Sequence, residues 1–158
     1  EAFSALDPLI RADMQSLLLA LQRELHRTIL FVTHDLEEAI TLGDRIAILR
    51  DGEVVQNGDS QEIVLQPTDS YISNFTRNIN RGRVIRVGSI MEPTPTKAPG
   101  SGDYRIPSDM LLEDALPRVV ASSNNSAAVV DVKGTIVGSI SVGRMVYALA
   151  ADRSAGIA

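Results

Sequence analysis

Of the two histidines in this chain, only His34 stands where an imidazole could take part in chemistry. It follows the unbroken apolar run Thr28-Ile-Leu-Phe-Val32 and sits in Thr33-His34-Asp35, ahead of Glu37 and Glu38. Histidine is the side chain that most readily gains or loses a proton near neutrality, so one at the end of a strand is a candidate for proton transfer or for donating a hydrogen bond to a substrate. The same residue also serves as an ordinary polar loop residue, and its position alone leaves both readings open. His26 falls near the end of a helical stretch, where positive charge is favourable, and is assigned no chemistry. Asp7 precedes Pro8, a pairing that marks a helix start: the carboxylate accepts backbone N–H bonds and proline sits where no N–H is needed. Glu1 places a carboxylate at the first residue, a position that is ordinarily frayed.

Other chemistries are excluded by what the chain lacks. There is no cysteine, which removes disulfides, thiolate metal sites and a cysteine nucleophile and fits a reducing compartment. Two histidines do not suffice for a histidine-built metal site. No Gly-x-x-x-x-Gly-Lys-Ser/Thr occurs, so the nest of backbone N–H groups and the lysine that cradle phosphates are not encoded here.

The elements that must position these residues are readable from the pattern. Leu9, Ile10, Met14, Leu17, Leu18, Leu21 and Leu25 share one face of a helix from Pro8 to Arg27. Thr28–Val32, apolar and β-branched, predicts a parallel strand buried on both faces. A short helix to Leu42 follows, with Asp35, Glu37 and Glu38 in its first turn and Gly43 closing it. Arg45–Leu49 and Glu53–Gln56 predict a hairpin about Asp51-Gly52. Ser60 is expected to cap Gln61–Leu65, and a helix from Asp69 to about Ile79 presents Tyr71, Ile72 and Phe75 inward.

The polar stretch Arg77–Arg83 predicts the boundary between two units. Beyond it lie Val84–Ile90, a proline-rich segment from Glu92 to Gly102 and a short strand at Tyr104–Ile106. A helix over about Ser108–Ala121 follows, interrupted by Pro117. Ala127–Val132 and Thr135–Ser141 form a hairpin about Lys133-Gly134, and a last helix runs from Val142 to about Ala151.

Composition fits a soluble globular chain: 44% of its 158 residues are hydrophobic and 22% charged, with a net charge of −5. Residues 1–83 carry 8 basic and 13 acidic side chains and residues 84–158 carry 7 of each, so neither half reads as a nucleic-acid binder. No apolar run approaches the ~20 residues needed to span a bilayer. The chain begins with Glu1 rather than Met and shows no basic-then-apolar leader, so the expectation is a chain that starts within a longer protein.

Three segments at matching order and spacing resemble a known family. Glu1-Ala-Phe-Ser-Ala-Leu-Asp-Pro8 resembles the end of the Walker B strand and the D-loop of ATP-binding cassette (ABC) ATPases. Val32-Thr-His-Asp35 with Glu37-Glu38-Ala39 resembles their switch-histidine loop, and Leu42-Gly-Asp-Arg-Ile-Ala-Ile-Leu-Arg-Asp-Gly52 the strand and hairpin that follow. Asn57-Gly58, the Tyr71/Phe75 helix and Arg81-Gly-Arg-Val-Ile85 look like the ATPase subunits of importers for glycine betaine, proline and related quaternary amines. Val87-Gly-Ser-Ile-Met-Glu-Pro93, the helix with Leu111, Leu112, Ala115 and Leu116, and Ala127–Ser141 resemble one cystathionine-β-synthase-type (CBS) motif, a β-α-β-β-α unit whose limited apolar faces favour pairing.

The resemblance implies an α/β fold. Residues 1–80 would be the C-terminal part of a P-loop ABC nucleotide-binding domain, 84–150 a small α+β CBS-like regulatory unit and 151–158 a tail. It implies that Glu1 orients or deprotonates the attacking water, and that His34 binds the γ-phosphate. Ser4, Ala5, Leu6 and Asp7 would face a second ATPase subunit across a head-to-tail dimer. ATP and Mg²⁺ would serve the full-length subunit. Neither is expected to bind tightly to this chain, which also lacks the family's Leu-Ser-Gly-Gly-Gln signature, glutamine loop and Mg²⁺-binding aspartate, so hydrolysis is expected of the full-length subunit. The partners implied are a transmembrane permease and, indirectly, a substrate-binding protein, with the subunit peripheral on the cytoplasmic membrane face. In nucleotide-binding CBS motifs an aspartate shortly after the Gly-φ-φ-Ser strand holds the ribose; here Val142, Gly143 and Arg144 follow Ser141, which favours a pairing module over an adenosine site. Two alternatives stand beside this reading: a stand-alone CBS sensor or dimerisation protein with an inactive ATPase remnant, and an importer ATPase for another small solute.

Overall fold

A computed structural model describes residues 3, 6–93 and 104–150 of the protein. The chain divides into two compact units, with the division between Ile63 and Val64. The stretch 64–76 therefore groups with the second unit, whereas the composition of the sequence shifts at Arg77–Arg83.

The first unit opens with α1 (Pro8–Leu25), capped by Asp7, whose carboxylate accepts from the Leu9 N–H. Its end is set by His26, which takes the left-handed conformation at φ 49° and donates its N–H to the Gln22 carbonyl, a common way of closing a helix. α2 (Leu36–Leu42) begins at Asp35 and ends at Gly43. Gly43 is not in the left-handed region; a Cβ there would lie 2.9 Å from the Ala39 carbonyl oxygen and 3.1 Å from that of Arg45, so it is close backbone approach that calls for glycine. β1 (Ile46–Arg50) and β2 (Glu53–Gly58) form an antiparallel hairpin. Its two-residue turn, Asp51 at φ 54° and Gly52 at φ 85°, has the paired positive angles that match strand twist. α3 (Ser60–Leu65) is capped not by Ser60 but by Asp59, in a reciprocal pair: the Glu62 N–H donates to Asp59 at 2.8 Å and the Asp59 N–H to Glu62 at 2.9 Å.

The expected buried strand at Thr28–Val32 does not form. Leu30 is 91% and Val32 69% exposed, and the sheet of this unit consists of β1 and β2 alone among the described residues. A parallel strand needs a neighbour to complete its hydrogen-bond ladder, and no described strand lies beside this one. The apolar row of α1 is likewise uncovered: none of its residues is buried, and Leu9, Ile10, Met14, Leu17, Leu21 and Leu25 are all exposed.

The second unit has a conventional core. α4 (Ser70–Thr76), capped by Asp69, buries Ile72 and Thr76; it is shorter than the helix expected to Ile79, and Tyr71 and Phe75 stay partly exposed as a stacked pair. A single 3₁₀ turn at Arg81–Arg83 leads to α5 (Val87–Ile90) and the short β3 (Glu92–Pro93). After Pro93 the described residues continue with β4 (Arg105–Pro107), α6 (Leu112–Val120), β5 (Ser126–Val130), β6 (Ile136–Ser141) and α7 (Val142–Ala150). The sheet order is β3-β6-β5-β4, with β4 and β5 parallel and the other pairs antiparallel. Parallel pairing requires a crossover, supplied by α6, which buries Leu112, Ala115 and Val119 and packs against α7. Pro117 lies inside α6 without ending it. The succession β4-α6-β5-β6-α7 is the β-α-β-β-α order expected of this unit, and the fold class is α/β as read from the sequence.

Candidate functional site

His34 sits at an exposed bend between the extended segment and α2, and the residues on either side of it are fixed. The Thr33 hydroxyl accepts the Asp35 N–H at 3.0 Å and donates to Glu38 Oε2 at 2.8 Å. Asp35 Oδ1 accepts the N–H groups of Glu37 at 2.9 Å and Glu38 at 3.3 Å. The backbone at His34 is thereby pinned on both sides, and the residue itself is exposed, so its imidazole is carried on a loop that need not reorganise.

Glu38 is the second half of this construction. It is a charged side chain only 6% exposed, a burial that demands partners. Besides Thr33 it receives the Gln15 side-chain N–H at 3.4 Å, and the Arg11 Nε lies 4.0 Å from Oε1. Arg11 also donates to the Leu6 carbonyl at 3.3 Å, so the polar face of α1, rather than its apolar row, is turned toward the histidine loop. Phe3 stacks on Phe31 with ring centroids 5.6 Å apart. The segment before α1 and the segment before His34 are thus joined twice, by aromatic contact and through Glu38.

Of the residues singled out by sequence, Leu6, Asp7 and His34 are described, while Glu1, Ser4 and Ala5 lie outside the described residues. Asp7 caps α1, Leu6 supplies a carbonyl to Arg11, and His34 is presented by its loop. Sequence reading missed Arg11, Gln15, Thr33 and Glu38 as a group. Glu38 could be seen only as negative charge in a first turn; its burial depends on residues of another helix. Among the described residues no group of three histidine, cysteine, aspartate or glutamate side chains is placed to hold a metal ion. The exposed imidazole on a fixed bend does fit one contact to a phosphate oxygen.

In the second unit, Arg144 occupies the turn after Ser141. Its guanidinium donates to the Ile90 carbonyl and lies 3.3 Å from Glu92 Oε1. This position therefore closes the turn onto α5 and β3.

By sequence the chain is homologous to part of the ATP-binding proteins of betaine, choline and trimethylamine N-oxide transport systems. It is 38% identical over 147 residues to the trimethylamine N-oxide transport system ATP-binding protein TmoW of Pelagibacter ubique, covering 93% of this chain and 42% of that protein. It is 47% identical over 96 residues to the glycine betaine transport ATP-binding protein OpuAA of Bacillus subtilis, covering 61% of this chain and 23% of the relative. It is 48% identical over 106 residues to the glycine betaine/proline betaine transport system ATP-binding protein ProV of Escherichia coli, covering 65% of this chain and 26% of the relative. The chain thus spans less than half the length of these relatives. No family model matches it. Among solved structures it is similar to the CBS-pair protein CBSX2 of Arabidopsis thaliana, at 21% identity and TM-score 0.28, covering 78% of this chain and 81% of that one.

Proposed function

We propose that this chain is part of the ATP-hydrolysing subunit of an ABC importer for glycine betaine or a related methylated amine, contributing the D-loop, the switch-histidine loop and a CBS-type unit. The observation that carries the reading is the histidine loop: His34 exposed on a bend that Thr33, Asp35 and Glu38 hold rigid, in a chain whose relatives are transport ATP-binding proteins. That company does not favour a stand-alone sensor. The uncovered row on α1 and the exposed Leu30 and Val32 support it as well, since surfaces of this kind are covered in a finished domain; here the remainder of the subunit would cover them and complete the strand.

ATP with Mg²⁺, when bound, supplies the γ-phosphoryl group and neutralises its charge. His34 donates a hydrogen bond to a γ-phosphate oxygen, strengthening as negative charge develops there. Glu1 orients the attacking water and takes up its proton. Ser4, Ala5, Leu6 and Asp7 face a second ATPase subunit, so that the two sites are coupled. The working assembly is two such subunits on a transmembrane permease fed by a substrate-binding protein, with this chain peripheral on the cytoplasmic face. No described helix is long and apolar enough to cross a membrane. The CBS-type unit regulates through subunit pairing.

The test is ATP hydrolysis by the full-length subunit assembled with its permease. His34→Ala is expected to lower the turnover rate by about 10²-fold or more, the scale of losing one donor to developing charge, with ATP affinity little changed. An unaltered rate would overturn the assignment of His34, and an assembly that moves no methylated amine would overturn the substrate class.

A further inference from the structure

Glu38 is a buried acid that the mechanism above does not use, and its carboxylate accepts hydrogen bonds both from Gln15 of α1 and from Thr33 of the histidine loop. We propose that Glu38 is a positioning residue which ties the helix following the D-loop to the loop that presents His34, so that displacement of one is transmitted to the other. The inference rests on the assignment of His34 made above.

The geometry gives each carboxylate oxygen a separate task. Oε2 accepts the Thr33 hydroxyl at 2.8 Å, and that hydroxyl in turn accepts the Asp35 N–H at 3.0 Å. Thr33 and Asp35 flank His34, so Oε2 fixes the bend from beneath. Oε1 accepts from Gln15 at 3.4 Å and faces Arg11 at 4.0 Å, and Arg11 holds the carbonyl of Leu6 at 3.3 Å. Gln15 and Arg11 lie one helical turn apart on α1, which places both on the same face. A chain of contacts therefore runs Leu6, Arg11, Glu38, Thr33, His34 loop, with the ion-pair approach of Arg11 to Glu38 at 4.0 Å as its longest link. Glutamine at 38 cannot replace the acid: its amide offers one acceptor, so either Thr33 loses its acceptor or Arg11 and Gln15 face a donor. Misplacing a catalytic group by about 1 Å costs on the order of 10²-fold in rate, which sets the effect to look for.

The experiment compares Glu38→Gln, Thr33→Val, the double variant and His34→Ala in the full-length subunit assembled with its permease. Alongside, amide hydrogen exchange of Glu37 and Glu38 is measured in the full-length subunit. The expected result is that Glu38→Gln and Thr33→Val each lower kcat by about 10-fold or more with KM for ATP within about twofold, and that the double variant is no worse than either. Exchange at Glu37 and Glu38 should quicken in both single variants while the thermal midpoint of the second unit stays put. Additive losses, or a fall in kcat matched by failure to assemble, would make Glu38 merely structural and overturn the proposal. So would an unchanged kcat in both single variants when His34→Ala abolishes turnover. If His34→Ala itself leaves turnover intact, the functional assignment fails instead, and the exchange data still decide whether Glu38 pins the loop.

Discussion

Phe3 stacks on Phe31, their centroids 5.6 Å apart and their planes 26° from parallel, bringing the segment that leads into Asp7 against the one that leads into His34. An offset aromatic pair contributes about 0.5–1.5 kcal/mol beyond the area it buries. Phe31→Leu should therefore cost the first unit about 1 kcal/mol, and Phe3→Leu in that background should cost less than it does alone. A double-mutant cycle on denaturant midpoints checks this; two fully additive losses would mean that the rings do not interact in solution.

Asp35 holds the start of α2 through two backbone N–H groups, those of Glu37 at 2.9 Å and Glu38 at 3.3 Å. Removing such a cap costs about 1 kcal/mol. Asp35→Ala should lower stability by that amount, whereas Asp35→Asn, which keeps an acceptor oxygen, should lose only a fraction of it. Urea unfolding followed by circular dichroism distinguishes the two variants.

What could be read from the sequence follows from how local each feature is. The cap at Asp7, the Asp51-Gly52 turn and the polar loop at Thr33-His34-Asp35 are set by residues within a few positions of one another, and each stands where the pattern put it, although the strand expected before that loop does not form. The spacing of Leu9, Ile10, Met14, Leu17, Leu18, Leu21 and Leu25 identified an apolar face, yet periodicity does not say what covers it; in the structure Arg11, Gln15 and Leu18 are half-buried while the other six of that row are exposed. Thr28–Val32 carries strand-forming residues, but a strand also needs a neighbour, which no described strand provides. Glu38 was invisible as a buried group because its Gln15 partner lies 23 positions away, a separation no window along the chain can sense.

Gly138 is required by proximity. In β6 it pairs with Pro93 of β3, and a Cβ at this position would lie 2.6 Å from the Glu92 carbonyl oxygen and 2.8 Å from the Met91 sulfur. The sulfur can swing aside; the backbone oxygen moves only if the strand does. Gly138→Ala should destabilise the second unit by about 1–3 kcal/mol, the usual range for overpacking, and should loosen β3 from β6. Faster amide exchange along β6, with little change in α6, is the expected signature, and an unchanged midpoint would contradict it.

Arg81 donates from its Nε to the carbonyl of Ala148, 67 residues away, at 2.9 Å. Ala148 lies in the last turn of α7 as described, where carbonyls have no partner within the helix and the helix dipole leaves partial negative charge. A guanidinium here satisfies a helix-end acceptor and offsets that charge, while fastening the 3₁₀ turn that follows α4 to the last described helix of the unit. A hydrogen bond to a charged group contributes about 1.5–3 kcal/mol. Arg81→Ala should lose most of that in denaturant unfolding of the second unit. Arg81→Lys, which keeps the charge but not the directed Nε–H, should fall between the two, because the dipole interaction survives while the hydrogen bond does not. If alanine and lysine prove equally costly, the directed bond accounts for the whole effect; if lysine matches the wild type, charge at the end of α7 is sufficient.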